Sequence, residues 1–293
     1  MRRRKTDLSH GKANRPMMIM ILALYVAGAA FIIYPTVSNL INRERNLKVA
    51  VAYEDAISDA GKYEADSMYL EALAYNSTHK RNYVKDAFSD DCHDGLSDSY
   101  SSLLDPQGTG VMGYLDVPKI NETLAIYHGT GEEVLDKGVG HIEGTSLPVG
   151  GLGSHSVLCA HRGLPSARLF TNLDQLEEGD RFYIHVVDRF LTYEVDQITV
   201  VEPDEIEALK IEPDKDYVTL LTCTPYGINT KRLLVRGKRV PNEVQRTDPV
   251  ETAKHGLPLY LTMLIISLSA VVLITISITS KKDRRVNDVW RNQ

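Results

Sequence analysis

Two long apolar runs stand near the ends of the chain, and short apolar or alternating runs fill its middle. Met17–Tyr34 and Leu257–Thr279 contain no charged side chain. Each is close to the ~20 residues with which a helix crosses a bilayer. We therefore predict transmembrane helices at residues 17–35 and 257–280. A cleaved signal peptide is the alternative for the first run, but such peptides have a shorter apolar core.

The pattern changes three times between these two runs. Residues 36–75 carry apolar positions at steps of three and four, which predicts a helical stalk, and Gly61 interrupts it. Residues 76–107 are rich in Asp, Ser and His without periodicity, which predicts a long, lid-like loop. Residues 108–241 hold the short runs, and residues 242–256 form a polar linker.

The short runs of the central segment predict a closed β-barrel, because many short strands separated by turn residues are typical of barrels. The predicted strands are Met112–Val117, Thr123–Tyr127, Ser156–Ala160, Phe182–Val187, Leu191–Val195, Ile198–Val201, Tyr217–Leu221 and Leu233–Val235. Asp188-Arg189 forms a predicted hairpin turn, and Glu132–Lys137 and Leu169–Leu176 form predicted helical turns. The predicted fold is mainly β, with an N-terminal helical and lid region and two flanking transmembrane helices.

Charge gives the orientation of the predicted membrane helices. Residues 1–16 contain six basic residues and one acidic residue, and residues 281–293 contain five basic and two acidic residues. Positive flanks stay on the cytoplasmic side, so both terminal tails are predicted inside and the barrel outside. Since the whole chain has a formal charge of −6, the segment between the tails is strongly acidic. Such a domain is a poor ligand for nucleic acid.

A thiol and a guanidinium mark the candidate chemistry. Cys223 follows the run Tyr217–Leu221, and Arg232 opens the next run after a loop with proline and glycine. A fixed positive charge beside a thiol favours a thiolate nucleophile. His161 also follows an apolar run and supplies a proton acceptor. The three residues predict acyl transfer through a thioester, with Arg232 steadying the oxyanion or the substrate carbonyl.

The residues alone leave alternatives at each position. Cys223 also fits a small buried hydrophobe. The other histidines that border apolar runs are His128, His141 and His155, and the other cations beside the candidate site are Arg162, Lys231 and Arg236. Cys159 is predicted to be buried and inert, Cys92 to be exposed, and a disulfide between them stays open. Without a CxxC motif or a Cys/His cluster, the sequence predicts no metal and no organic cofactor.

The segment Thr219-Leu-Leu-Thr-Cys223 matches the TLxTC signature of sortases, the Gram-positive cell-surface transpeptidases. His161 and Arg232 complete the Cys-His-Arg triad of that family. From Gly113 to Val240, roughly the middle half of the chain, the sequence resembles the pilin-polymerising class C branch. The resemblance implies an eight-stranded sortase barrel.

The resemblance also implies substrates. An LPxTG-like sorting motif on a pilin or another surface protein would form a thioester with Cys223, and His161 would protonate the leaving amine. A lysine amine of the next pilin would then form an isopeptide bond. One alternative is a housekeeping-type sortase, which joins surface proteins to a cell-wall precursor. Another is a non-enzymatic, membrane-tethered β-domain that binds a surface partner.

A lid is the last implied feature. Class C sortases place an Asp-Pro-aromatic motif over the active site, and Asp86-Ala87-Phe88 resembles it with alanine in place of proline. We expect Asp86 to pair with Arg232 and Phe88 to cover Cys223. The lost proline removes a source of backbone rigidity.

Overall fold

The computed structural model describes residues 14–78, 86–88, 96–205 and 207–242, together with Ser269. The described residues up to Thr36 belong to one compact unit, and those from Val37 to Asn242 belong to a second. The predicted tails, most of the linker and the second membrane helix at 257–280 lie outside the described residues, apart from Ser269, which is helical.

The first helix, α1 (Asn14–Thr78), contains the first apolar run and the predicted stalk. Gly61 leaves the helical conformation with φ 80° and ψ 166°, a region that glycine enters at little cost, so the predicted interruption is confirmed. In the described part of the chain, one helix is long and apolar enough to cross a membrane, and its candidate span starts at Ala23. The helix continues three residues beyond the predicted end at residue 75.

The central segment folds into eight strands. They are β1 (Val111–Val117), β2 (Glu122–His128), β3 (Val139–His141), β4 (Ser154–Cys159), β5 (Arg181–Val186), β6 (Arg189–Val201), β7 (Asp216–Thr224) and β8 (Lys231–Val240). Two short α-helices, α2 (Asp98–Ser101) and α3 (Glu132–Leu135), and 3₁₀ turns at Pro118–Ile120, Leu173–Gln175 and Glu207–Leu209 connect them.

The strands close into a barrel in the order β1-β2-β3-β4-β7-β8-β6-β5. The pairs β2–β3 and β4–β7 are parallel, and the other neighbours are antiparallel. The prediction of a closed, eight-stranded barrel is therefore confirmed. Closure leaves no open sheet edge in the barrel, which removes the usual template for edge-to-edge association.

Three local predictions differ from the structure. Leu191–Val195 and Ile198–Val201 are one strand, β6, because a bulge at Asp196 shifts the register without ending the strand. The three residues of β3 have no predicted counterpart. The segment predicted as a structureless loop from residue 76 contains the last turn of α1 and the helix α2.

Strand alternation gives the barrel two apolar faces. On β7 and β8, Val218, Leu220, Leu233 and Val235 point into the main core, while Leu221 and Leu234 belong to a second apolar cluster on the other face. Alternate residues of a strand point to opposite faces, so Cys223 and Arg232 lie on the same outer face as Leu221 and Leu234. The candidate site therefore lies on the outside of the barrel wall.

Hydrogen bonds attach the last part of α1 and its middle to the barrel. Tyr53 donates its hydroxyl hydrogen to the carbonyl oxygen of Met112 at 2.9 Å and accepts the N–H of Val187 at 3.1 Å. Asn76 donates to the carbonyl oxygen of Leu147 at 3.1 Å and accepts its N–H at 2.7 Å. These buried contacts fix the point at which the chain leaves α1 toward residues 86–88.

Candidate active site

The strand pair β7–β8 places Cys223 beside Arg232. The two residues are direct partners in the antiparallel register, and direct partners have side chains on the same face of a sheet. Cys223 is 6% exposed and Arg232 8% exposed. The thiol and the guanidinium thus lie together on the outer face, in a site with little water.

His161 reaches the same place from the neighbouring strand. In the parallel pair β4–β7, Cys159 lies opposite Leu221, and His161 follows Cys159 by two residues, at the same end of the strand pair as Cys223. Thr222 donates its hydroxyl hydrogen to the carbonyl oxygen of Ala160 at 2.8 Å. The N–H of Phe170 donates to the carbonyl oxygen of His161 at 3.2 Å. One hydrogen bond at Ala160 and one at His161 therefore hold the backbone at the point where β4 ends.

Asp86 forms a bidentate ion pair with Arg232. Its two carboxylate oxygens accept hydrogen bonds from Nε at 2.8 Å and from Nη2 at 2.6 Å. Nη1 donates to the carbonyl oxygens of Asn229 at 3.2 Å and Lys231 at 3.1 Å. Paired donors in this fork geometry are the strongest contact that an arginine makes with a carboxylate. The guanidinium is therefore fixed from both sides.

Phe88 covers the histidine and the arginine. Its ring centroid lies 5.5 Å from that of His161 and 5.3 Å from Cζ of Arg232. Between the two side chains, Ala87 is only 1% exposed and packs in the apolar cluster that contains Leu221. Residues 86–88 thus lie over the outer face, with the acid and the ring directed at two of the candidate catalytic residues.

The site holds its thiol and its imidazole in their neutral forms. Burial raises the pKa of Cys223, and Asp86 adds to this rise while Arg232 opposes it. Burial lowers the pKa of His161, against the attraction of the Asp136 and Glu132 carboxylates. At neutral pH the thiolate–imidazolium pair is therefore a minor species while residues 86–88 cover the site.

His128, His141 and His155 use both ring nitrogens in buried contacts. His141 Nδ1 lies 2.7 Å from the hydroxyl of Tyr100, and Nε2 lies 2.8 Å from the carbonyl oxygen of Ser146. His128 contacts two backbone carbonyl oxygens, and His155 contacts one carbonyl oxygen and the Thr219 hydroxyl. In the described residues, the His161 ring forms no hydrogen bond. The structure therefore favours His161 as the ring that exchanges protons.

The other cations beside the site each have partners other than Cys223 and Asp86. Arg236 forms two hydrogen bonds of 3.0 Å with Asp196, and Lys231 lies 2.7 Å from Glu202. Arg162 does not continue β4, which ends at Cys159. It donates instead to the hydroxyl of Thr224 at 3.2 Å and to Asp174.

This contact of Arg162 with Thr224, the residue after Cys223, was not predicted from the sequence. The signal was available in the dipeptide His161-Arg162 at a strand end. The acids of α3 near His161, Glu132 and Asp136, were also missed. Cys159 is buried, and its thiol donates to the carbonyl oxygen of Gly140 at 3.3 Å. Among the described residues, no group of three or more His, Cys, Asp or Glu side chains could hold a metal ion.

Comparison with protein families gives one matching domain, the sortase domain, over residues 115–240. The curated relative Sortase D of Bacillus subtilis (strain 168) is 32% identical over 138 residues, which cover 46% of this chain and 67% of the relative. Sortase A of Streptococcus agalactiae serotype III (strain NEM316) is 24% identical over 255 residues, 85% of this chain and 92% of the relative.

Solved structures give closer similarity. Sortase C of Streptococcus pneumoniae is 43% identical with a TM-score of 0.62, covering 67% of this chain and 97% of that structure. Sortase C1 of Streptococcus agalactiae, solved with MTSET, is 44% identical with a TM-score of 0.60, covering 68% and 100%. Sortase C-1 of Actinomyces oris is 42% identical with a TM-score of 0.57, covering 61% and 99%.

Proposed function

Because the chain belongs to the class C branch of the sortase family of cysteine transpeptidases, we propose that Cys223, His161 and Arg232 carry its reaction. The observation that supports this most directly is the register. Cys223 lies opposite Arg232 in β7–β8, and His161 follows the end of β4, the strand that pairs with β7. A nucleophile, a proton carrier and a fixed cation on one face are what acyl transfer needs.

In the first half of the reaction, Cys223 Sγ attacks the threonine carbonyl of an LPxTG-like motif. His161 takes the thiol proton, and Arg232 stabilises the oxyanion that forms. His161 then gives the proton to the glycine nitrogen as the Thr–Gly bond breaks. The products are a thioester on Cys223 and a free amine.

In the second half, a lysine amine of the next pilin attacks the thioester carbonyl. His161 accepts the amine proton and returns it to Cys223 Sγ as the C–S bond breaks, which regenerates the thiol. The new bond is an isopeptide. For Streptococcus pneumoniae Sortase C the published structure refers to pilin substrate specificity, which supports a pilin substrate here. The similarity to class C structures supports this role over a housekeeping type, and a non-enzymatic β-domain is wrong for a chain of this family.

Residues 86–88 act as a lid in this proposal. Asp86 occupies two of the Arg232 donors that a substrate carbonyl oxygen needs, and Phe88 lies against the His161 ring. Substrate therefore has to displace the segment before the oxyanion can form. The covered state protects the thiol between reaction cycles.

The apolar part of α1 anchors the enzyme, and the proposed topology places the catalytic domain outside the cell. The helices at 17–35 and 257–280 span the membrane, and the basic tails 1–16 and 281–293 remain cytoplasmic. The stalk at 36–75, the lid segment at 76–107 and the linker at 242–256 connect them to the barrel at 108–241. Protease shaving of intact cells tests this arrangement, because a tag at residue 293 should be protected.

The reaction is tested by mass spectrometry of the full-length protein incubated with a surface protein that ends in an LPxTG-like motif. We expect an adduct on the peptide that contains Cys223, and none in Cys223→Ala. Cys159→Ala is the matched control, because it removes a buried thiol outside the site and should keep the adduct. Full product formation by Cys223→Ala would overturn the assignment.

A further inference from the structure

The cations of the described catalytic unit fall into two groups. Most are neutralised by carboxylates within 4 Å: Lys119, Arg162, Arg181, Arg189, Lys210, Lys231, Arg232, Arg236 and Lys238. Eight others form no ion pair within the described residues. Besides Lys62, Lys215 and Arg239, these are five cations on the first part of α1 in this unit or on two segments that pack against it. We name them the basic surface: Arg43, Arg45, Lys48, Lys137 and Arg168.

Contacts with α1 bring the members of the basic surface together. Asn46 donates to the carbonyl oxygen of Lys137 at 2.9 Å. Ser38 donates to the carbonyl oxygen of Ser166 at 2.8 Å, two residues before Arg168. The loop that carries Arg168 and the end of the α3 segment that carries Lys137 therefore both pack against the stretch of α1 that carries the other three cations.

Shared neighbours show the same proximity. Burial raises the pKa of the Glu122 carboxylate to about 7, and the positive charges of Arg168 and Arg43 both oppose this rise. Lys137 Nζ lies 4.4 Å from the centre of the Tyr127 ring, and the positive charge of Arg45 lowers the pKa of the same tyrosine, against the effect of burial. Glu122 is thus only partly charged at neutral pH. The exposed acids on these segments are Glu44, Glu132, Glu133 and Asp136, so the five cations outnumber them by one.

The position of this charge along the chain points to its partner. A span of about 20 residues within the apolar run ends between Thr36 and Ile41. At 1.5 Å per residue, about 3–18 Å of helix then separates Arg43 to Lys48 from the end of the span. The headgroup layer is about 5–8 Å deep, and the Debye length adds about 8 Å. These cations therefore fall in the range where anionic headgroups attract them.

We propose that the basic surface binds the anionic lipid headgroups of the membrane that holds α1, and so fixes the orientation of the catalytic barrel on that membrane. The proposal rests on the membrane anchoring proposed above. The rest of the segment between the tails is acidic, so an anionic membrane repels its other faces. Attraction at one end and repulsion elsewhere select one orientation of the barrel.

The test uses the full-length protein in nanodiscs of phosphatidylcholine alone or of phosphatidylcholine mixed with phosphatidylglycerol. Hydrogen–deuterium exchange of the loop 164–168 reports contact with headgroups. We expect slower exchange in the anionic discs, and high salt should abolish the difference. Each basic residue near an anionic surface raises partitioning roughly fivefold. Arg45→Glu with Lys48→Glu should therefore weaken docking at least ~25-fold and restore fast exchange.

Lys62→Glu with Lys215→Glu is the matched control. Both lysines are exposed, form no ion pair in the described residues and lie outside the basic surface, and the net charge changes equally. Equal exchange of the loop in both kinds of disc, or equal effects of the two double variants, would overturn the proposal. Protection by soluble polyphosphate in neutral discs would assign the surface to a phosphate polymer and overturn the lipid assignment.

Two further readouts separate this proposal from the ones on which it rests. Co-elution of the protein with both kinds of disc shows anchoring by the apolar helices. Thioester formation by the Arg45→Glu, Lys48→Glu variant in detergent shows an intact active site. If the variant stays anchored and forms the thioester, but its loop 164–168 exchanges as slowly as that of the wild type in anionic discs, headgroup binding is contradicted. Membrane anchoring and the active-site assignment then still stand.

Discussion

Asp86→Ala should speed the alkylation of Cys223 by a thiol reagent. The Asp86 carboxylate holds Arg232 by two short hydrogen bonds, and the two side chains are 14% and 9% exposed. Cys223 itself is 6% exposed, so a reagent reaches it when residues 86–88 move away. Without the carboxylate, Arg232 keeps its contacts with the carbonyl oxygens of Asn229 and Lys231, and the covered state loses its main polar contact.

The size of the effect follows from that contact. A hydrogen bond to a charged group contributes about 1.5–3 kcal/mol, and we take this range for the whole bidentate pair. The open population then rises about 10- to 150-fold, up to the limit at which the site is always open. When opening and closing are fast, the alkylation rate is proportional to the open population. We therefore expect an increase of about tenfold or more.

The assay follows the Cys223 peptide of the full-length protein by mass spectrometry over a series of pH values. Asp196→Ala is the control, because it removes a bidentate partner of Arg236, four residues farther along β8. It should leave the rate unchanged. Asp86→Asn keeps the shape of the side chain and removes its charge, so it should lie between wild type and Asp86→Ala.

A pH series also separates lid opening from an electrostatic effect on the thiol. Asp86 raises the pKa of Cys223, so its removal moves the midpoint of the profile to lower pH. Opening instead raises the plateau at high pH, where every thiol is ionised. Equal plateaus in wild type and Asp86→Ala would show that residues 86–88 do not control access, and would refute the lid.

Three other predictions concern the site and the core. His161→Ala should lower the rate of transpeptidation by ~10²–10⁴-fold without loss of stability. His141→Ala should instead lower the melting temperature first, because it empties a fully buried site and removes the ring contact of the Tyr100 hydroxyl, which keeps the His141 carbonyl oxygen as acceptor. A larger catalytic loss in His141→Ala, at equal folded fraction, would contradict this. Arg232→Lys should stay poorly active, since an ammonium lacks the planar fork, and kinetics equal to wild type would disprove that need. Burial lowers the pKa of His141 to about 4 in the folded protein, below the unfolded value of ~6.5. The contribution of His141 to stability is therefore complete above pH ~6.5, and the free energy of unfolding should fall by about 2 kcal/mol between pH 7 and 5. Urea unfolding measures this, and His141→Asn should give a flatter profile.

The strand pair that holds the site was predictable from local sequence. Tyr217–Leu221 and Leu233–Val235 are β-branched and apolar, and the loop between them is short and rich in turn residues. A short loop joins antiparallel neighbours, which brings Cys223 and Arg232 close together. The structure extends both strands and makes the two residues direct partners. The prediction depended on neighbours in sequence, and such contacts need little tertiary information.

The parts that were not predictable depend on distant contacts. β3 has three residues, two of them beside glycines, and is a strand because β2 and β4 pair with it. The bulge at Asp196 appears in no pattern, since this acid is held by Arg236 of β8. Sequence alone ranked His141 near His161. The difference between them is the burial of His141 under Tyr100, 41 residues away.

Ala87 stands where the resemblance expects proline, and the structure gives it another anchor. It is 1% exposed and packs with the apolar cluster of the outer face. A buried CH₂ or methyl contributes only about 0.8 kcal/mol, less than the Asp86–Arg232 pair, so the pair and Phe88 supply most of the stability of the covered state. Burial of Ala87 nonetheless gives residues 86–88 a fixed point in the absence of a rigid ring.

Ala87→Pro should therefore slow alkylation rather than speed it. Proline restricts the open segment more than the covered one, and at a compatible position it stabilises by about 0.4–1 kcal/mol. That range corresponds to alkylation about two- to fivefold slower than in wild type. The same substitution in the Asp86→Ala background should again slow the reaction by that factor, because the two effects are independent. Faster alkylation in the single variant would mean that the backbone at residue 87 does not accept the proline φ, and that burial of the methyl group is what fixes it.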